Sequence, residues 1–569
     1  MRPLDWLVLV GFLAFIVVYG IWKGRRNRDL DEYLLADRKM RWYTVALSIM
    51  ATQASAITFL STPGQGYADG MRFVQFYLGL PVAMVILSIT AVPIYHRLRV
   101  YTAYEYLEGR FDLKTRTLTS GLFLIQRGLG AGFTIYAPSL IFSVIMGWNL
   151  STVILVIGGL VTLYTATGGT KAVEHTHFQQ ALIITFGMLT AFFVIIHLLP
   201  TDVSFTEAVY VAGKMGRLNA IDFSFDLQNR YNFWSGLIGG FFVALSYFGT
   251  DHSQVQRYLT GQSVAQSRLG LLFNGTFKVP MQFFILFLGA MVFVFYQFAP
   301  QPPLFFNPNE TRKLQTSDVY AEQFRALESA HTEAAAARQS EVRRLVEATR
   351  AGDEQLLTSA EQNLEAAQRR VAEIRTQATD LMKLNDPRAN TSDTNYIFLN
   401  FIIHYLPAGV VGLVIAAIFC ASMSSSSSEL NALASTTIVD VYRRHIRRDA
   451  SDRHYVRISK LATVFWGCFA ILFAESASNL GSLVEAVNIL GSLFYGTILG
   501  VFLLAFYFKR VRGTPTFFAA LVGEAAVLCC FWFMSISFLW YNVVGCLVVI
   551  TSAHALNPFL SDGRVALKQ

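Results

Sequence analysis

Charge is what this chain has least of. Only 15% of its 569 residues are Asp, Glu, Lys or Arg, against about a quarter in soluble domains. So few charges cannot cover a water-facing surface of this size. That excludes a soluble body and leaves lipid as the solvent for most of the chain. Cysteine is scarce as well. Cys420, Cys468, Cys529, Cys530 and Cys546 all fall inside apolar runs, which excludes a disulfide framework and metal-ligand spacing. The phosphate-loop, GxSxG and HExxH patterns are missing, so no catalytic constellation is visible and the expected class is not an enzyme.

What is present is apolar: 53% of residues are hydrophobic and 14% aromatic, with a mean hydropathy of +0.42. The net charge of +8 sits in short segments between apolar runs, which reports membrane topology rather than nucleic-acid binding. Runs of about 18 or more apolar residues fall near 4–22, 43–62, 74–95, 119–146, 149–167, 178–199, 233–250, 270–298, 397–440, 455–474, 481–508, 515–535 and 538–556. The run at 397–440 reads as a hairpin-like approach followed by a long helix. The first run ends in Lys23-Gly24-Arg25-Arg26, which marks a retained span rather than a signal peptide. This gives about thirteen spans. With the N-terminus outside and the C-terminus cytoplasmic, Arg and Lys crowd segments 23–42, 96–118, 168–177, 251–269, 441–457 and 509–514. The opposite short loops carry only Arg2, Arg72, Lys214, Arg217 and Arg230, the bias that the positive-inside rule demands.

Residues 310–392 break the pattern, being polar and rich in Ala, Glu, Gln and Arg. Good helix formers dominate, and Gly352-Asp353 supplies a stop followed by an N-cap. Two antiparallel helices are expected, over about 317–350 and 354–384, on the outer face. The chain then divides into an N-terminal membrane part (1–309), this extracytoplasmic insertion (310–392) and a C-terminal membrane part (393–569). The hairpin is either a solvated spacer or, over 315–385, a docking site for a partner.

Four constellations carry chemistry. In the second span, Ala51-Thr52-Gln53-Ala54-Ser55 crowds small and hydroxyl residues at membrane depth. An interrupted helix there exposes carbonyls able to ligate a cation; close packing by small residues is the alternative. Five consecutive serines, Ser424 to Ser428, lie inside an otherwise apolar span. Their oxygens are hard ligands suited to Na⁺, and packing is again the alternative. Arg127, Lys278, Glu429 and Glu485 are isolated charges at depth, each a functional candidate or a structural ion pair or snorkelling end residue. Finally, Glu174-His175-Thr176-His177 places two imidazoles that titrate near neutral pH at the start of a span.

Several spaced motifs together resemble one family, the sodium:solute symporters, over nearly the whole chain outside 310–392. The motifs are Asp31-Glu32-Tyr33-Leu34-Leu35-Ala36-Asp37-Arg38, Gly64-Gln65-Gly66-Tyr67, Gly168-Gly169-Thr170-Lys171-Ala172-Val173, Gln256-Arg257-Tyr258-Leu259 and Asn431 through Asp440-Val441-Tyr442. The resemblance implies an all-α, LeuT-type fold of two inverted five-helix repeats, with sites at broken helices near mid-membrane. It implies a sodium site of the Ala51, Ala54 and Ala421 carbonyls and the Ser424 and Ser425 hydroxyls. A second ion would use Ser427, Ser428 and the position of His177, where the family pattern has an aspartate. The family's sugar-binding glutamine and glutamate fall at Thr58 and Tyr77, and other pocket or gate positions at Gln53, Phe76, Tyr247, Lys278 and Asn488. Ile135 to Leu140 is similar to the iodide, monocarboxylate and multivitamin branch. The expectation is a sodium-coupled symporter of a bacterial inner membrane that imports a small organic anion by alternating access. The competing readings are proton coupling through His177 and Glu174, and a membrane sensor built on the carrier scaffold.

Overall fold

A computed structural model describes residues 1–24, 38–298, 301–476 and 482–560, and among them every regular element is a helix. In chain order the helices are α1 (Pro3–Gly24), α2 (Trp42–Gln53), α3 (Ala56–Asp69), α4 (Leu80–Ile89), α5 (Ala91–Leu98), α6 (Glu105–Arg110), α7 (Leu113–Met146), α8 (Leu150–His197), α9 (Phe205–Lys214), α10 (Gly240–Gly249), α11 (His252–Leu259) and α12 (Val264–Phe298). They continue as α13 (Pro308–Gln315), α14 (Ala321–Ala351), α15 (Glu354–Asn385), α16 (Thr394–Tyr405), α17 (Val410–Thr436), α18 (Asp452–Ser476), α19 (Leu483–Tyr507), α20 (Gly513–Phe533) and α21 (Phe538–Leu560).

Against about thirteen expected spans, nine helical stretches among the described residues are long and apolar enough to cross a bilayer, and three shorter apolar helices accompany them. The polarity of the body is inverted relative to a soluble protein. Ile89, Phe193, Leu472 and Phe533 lie exposed, while Ser422 and Ser424 to Ser428 are buried. Apolar side chains facing outward and hydroxyls facing inward fit a body solvated by lipid.

Two interrupted helices face each other. α2 stops where Ala54 leaves helical geometry (φ −87°, ψ 74°), and Ser55 is extended (φ −77°, ψ 176°) before α3 begins. A helical stretch beginning at Ser235 runs through α10 to Gly249, breaks at Thr250-Asp251, and resumes as α11 behind the Asp251 N-cap, whose side chain accepts from the Ser253 N–H. The start of α2 and the end of α11 meet at Met40 N–H to Thr260 O, 3.0 Å, and Gln262 N–H to Met40 O, 3.0 Å. The broken helices therefore run antiparallel, as inverted repeats of the LeuT-type fold require.

The segment 251–269 departs from its expected place in a basic-side loop, because all eight residues of α11 are buried. Its physical reason is the break at Thr250-Asp251, which keeps the chain inside the body for two more turns. The expected spans at 149–167 and 178–199 correspond to an apolar stretch over Leu150–Thr167 and a shorter apolar helix over Ala181–His197.

The second half of the first broken helix, α3, is held backbone to backbone. A Cβ on Gly289 of α12 would lie 2.0 Å from the Pro63 carbonyl oxygen, and one on Gly66 would lie 2.3 Å from that of Leu286. Only glycine permits this approach, the usual device where helices have no water to drive them together. Above it, α14 and α15 form a hairpin that turns at Gly352 in left-handed geometry and restarts at Asp353, which accepts from the Gln355 and Leu356 N–H groups. A small core of its own, including Phe305, Phe324, Ile374 and Met382, packs the hairpin base. Its tip is pinned by Arg350 to Glu207, 2.6 Å.

Candidate functional site

The break at Ala54-Ser55 leaves carbonyls of the last α2 turn without helical donors. The Ser425 hydroxyl of α17 donates to two of them, Ala51 O at 3.4 Å and Thr52 O at 3.3 Å. The neighbouring Ser424 Oγ is buried with no hydrogen-bond partner. Ala51, Ala54 and Ala421 line one common cavity between α2, α8, α12 and α17. The structure thus gathers carbonyls of a frayed helix end and hydroxyls of a continuous helix at mid-depth. All are neutral, hard oxygen donors, a set that suits a monovalent alkali cation.

The neighbouring serines meet α7, α8 and α2. Ser422 donates to Thr134 O at 2.6 Å, and Ser426 to Thr134 Oγ1 at 3.0 Å. Ser427 Oγ accepts from Thr165 Oγ1 at 2.9 Å, and Ser428 Oγ lies 3.3 Å from Thr52 Oγ1. Ser427 and Ser428 therefore already serve in contacts to α8 and α2. The side chain of His177 lies outside the described residues, as do residues 31–37 of the N-terminal motif.

A cavity of about 120 Å³ adjoins the break. Gln53, Thr58, Phe76, Tyr77, Tyr247 and Asn488 line it, with Ser425 and Glu429. Thr58 sits on α3, which starts one residue after the break. Phe76 and Tyr77 follow on the 3₁₀ turn after α3, where their rings meet edge to face at 4.9 Å. Lys278 stands behind this wall. Its side chain is fully buried, its Nζ makes no hydrogen bond, and it lies 5.8 Å from the Tyr77 ring centroid. The Gln53 Oε1 is likewise buried and unpartnered, whereas the Asn488 amide donates to Val484 O at 2.8 Å.

A charged network forms part of the cavity wall. Arg127 of α7 pairs with Asp251, and with Glu429 of α17 at 2.9 Å, and it donates to Tyr495 Oη of α19 at 2.8 Å. Thr134 Oγ1 donates to the second Glu429 oxygen at 3.2 Å. The guanidinium also sits 5.5 Å from the Tyr247 ring centroid, and Gln254 donates to Tyr247 Oη at 2.7 Å. The network ties α7, α10, α11, α17 and α19 together at the cavity, whose lining includes Arg127, Glu429 and Tyr495 beside Tyr247. Arg127 and Glu429 were identifiable in the sequence as charges at depth. Asp251 and Tyr495 were not, although Gly249-Thr250-Asp251-His252-Ser253 carries a helix-stop and N-cap signal. Glu485 belongs elsewhere: it pairs with Arg230 at 2.7 Å and accepts from Tyr231 Oη at 3.0 Å, away from this network.

The model of the sodium:solute symporter family matches residues 33–322 and 382–523, leaving 323–381 of the hairpin unmatched. The sodium/sialic acid symporter SiaT of Proteus mirabilis is 24% identical over 572 residues, covering 99% of this chain and 96% of that protein. The human sodium/iodide cotransporter is 26% identical over 534 residues, covering 92% of this chain and 68% of that one. The human sodium-coupled monocarboxylate transporter 1 is 26% identical over 503 residues, covering 88% and 68%. Among solved structures, a substrate-bound, outward-open Na⁺-coupled sialic acid symporter superposes with a TM-score of 0.75, at 22% identity and 98% coverage of both chains.

Proposed function

The chain belongs to the sodium:solute symporter family, and from that premise we propose that the solute it carries with Na⁺ is a small organic anion. In this reading the ion sits between the Ala51, Ala54 and Ala421 carbonyls and the Ser424 and Ser425 hydroxyls. The single observation that supports this placement is the Ser425 hydroxyl reaching two free carbonyls at the α2 break. An ion bound there joins α2 to α17 and so alters the wall of the adjoining cavity. That is how ion occupancy raises solute affinity, and the coupling is reciprocal.

The anion preference rests on Lys278. It is a buried cation without a partner beside the cavity, whereas Glu429 in the wall is already paired to Arg127. A carboxylate entering near Tyr77 supplies the missing counter-charge, with Gln53 and Asn488 as polar contacts and Phe76 and Tyr77 closing over it. Relatives named for sialic acid, iodide and monocarboxylates point to the same charge class. Release toward the basic face requires Tyr247 to swing away and the Arg127 network to part. By the positive-inside rule that face is cytoplasmic and the hairpin lies outside, in a bacterial inner membrane. Each inward Na⁺ then contributes about 2.3 kcal/mol per 100 mV of membrane potential. A second ion at Ser427 and Ser428, with His177, would have to displace two hydroxyl contacts, so the Ser424–Ser425 site fills first.

The test is uptake into proteoliposomes with and without a Na⁺ gradient, using sialic acid, lactate, iodide and galactose as solutes. Uptake of an anion that stops when choline replaces Na⁺, and that Ser424→Ala or Ser425→Ala sharply lowers at limiting Na⁺, is the expected result. Full activity in both variants refutes the ion site; uptake of galactose alone refutes the anion assignment.

A further inference from the structure

A second cavity, of about 550 Å³, lies between the hairpin and the transport body. Its floor includes Tyr67 and Ala68 of α3 and Phe293 of α12; its roof includes His331 and Arg338 of α14 and Arg375 of α15. Four arginines line it (Arg217, Arg338, Arg369 and Arg375), against one carboxylate, Asp393. Two of the four are spoken for. Arg375 pairs with Asp393 at 2.8 Å and donates to Leu304 O at 2.9 Å, and Arg369 pairs outward with Glu365 at 2.6 Å.

The other two have no carboxylate within ion-pair distance among the described residues. Arg217 donates to Ala68 O and stacks over Phe293 at 4.2 Å, with its Nε unpartnered. Arg338 is only 6% exposed, and both its Nε and Nη2 lack partners. Beside it, the His331 Nε2 is buried without a partner. A buried guanidinium with unfilled donors is costly to fold around unless something else supplies the counter-charge.

We propose that this cavity is an oxyanion-binding site that fastens the hairpin to the moving helices of the transporter. The planar donor forks of Arg338 and Arg217 suit the paired oxygens of a carboxylate, sulfate or phosphate group. The volume leaves room for an organic body behind that group, with Gln368, Thr376 and Thr379 on the α15 side as polar contacts. Because the floor is the second half of the broken helix, an anion bound here bridges α14 to α3. The site stands apart from the central cavity and does not depend on what that cavity carries.

The experiment uses the purified full-length chain in Na⁺-free buffer. Choline sulfate and choline acetate are titrated against choline chloride at matched ionic strength, with thermal unfolding as readout. The expected result is a saturable rise in Tm with an oxyanion over chloride. The rise is expected to disappear in Arg338→Gln, whose own Tm without anion equals or exceeds that of the unchanged protein, because an uncompensated charge is gone. His331→Ala is expected to weaken the rise and serves should Arg338→Gln fail to fold. A saturable effect of sulfate marks a free inorganic oxyanion as sufficient, whereas an effect of acetate alone marks a carboxylate solute waiting outside the central cavity. The proposal is overturned by equal effects of all three salts, by an undiminished rise in Arg338→Gln or, if it does not fold, in His331→Ala, or by loss of the rise in Ser425→Ala, which would place the anion centrally.

Discussion

Arg127 and Arg338 are both nearly excluded from water, yet they are furnished in opposite ways. Arg127 meets two carboxylates and a tyrosine hydroxyl, so its charge is balanced within the chain and only its Nε is left open. Arg338 meets no carboxylate, and two of its donors are left open. A buried cation paired internally acts as a lock: it holds five helices in one arrangement and must be broken for them to part. A buried cation left unpaired acts as a receptor for charge that arrives from outside. Lys278 belongs with Arg338 in this respect, since its ammonium also lacks a partner.

The largest effect expected from this contrast is at the lock. Arg127→Met leaves Asp251 and Glu429 buried without their cation, a loss of about 3–5 kcal/mol for a broken buried pair. It is expected to lower Tm sharply and abolish uptake, whereas Arg338→Met leaves Tm unchanged or raised. Adding Glu429→Gln to Arg127→Met should recover part of the lost stability, and a double-mutant cycle in thermal unfolding measures how much. If Arg127→Met and Arg338→Met destabilise equally, the distinction between lock and receptor fails.

The next effect in size is at Lys278. If its ammonium receives the carboxylate of the solute, Lys278→Met removes one charged hydrogen bond, worth about 1.5–3 kcal/mol. The apparent KM for an anionic solute then rises between about 10- and 100-fold, with the sodium dependence retained and Tm no lower. A rise in half-saturating Na⁺ at constant solute affinity would assign Lys278 to the ion site instead. Ser425→Ala is the mirror experiment. It removes one neutral ligand and is expected to raise half-saturating Na⁺ about tenfold or more, read from uptake rates across a sodium series.

The two classes of site were not equally legible in the sequence. A polar residue in an apolar run is visible at once, so the serines, Ala51-Thr52-Gln53-Ala54, Lys278, Arg127 and Glu429 could all be singled out. The interruption of the second span was legible because small residues and hydroxyls cluster there. Partnership was not legible, because it joins residues far apart in the chain. Asp251 is 124 positions from Arg127, and it looked like the start of a basic-side loop. The same limit hid the hairpin cavity. Arg338 reads as one more charge on a solvated amphipathic helix, and only the placement of α14 over α3 and α12 buries it.

The smallest effect is expected where charge is paired at the surface, at the hairpin tip. Arg350 and the Ser204 hydroxyl and backbone hold the Glu207 carboxyl down to about 2, from an ordinary 4.5. A depressed carboxylate contributes stability above its unfolded value and loses it as pH falls through the folded one. The clamp is therefore constant from about pH 5 to 8 and weakens only on acidification below about 4.5. Exposed pairs of this kind are screened by solvent, so Arg350→Ala should leave uptake and global Tm almost unchanged. Hydrogen exchange should quicken only at the end of α14 and the start of α9. An equal quickening throughout α14, reaching Arg338, would mean that the tip clamp and not the cavity fastens the hairpin, and the surface pair would then be a lock of its own.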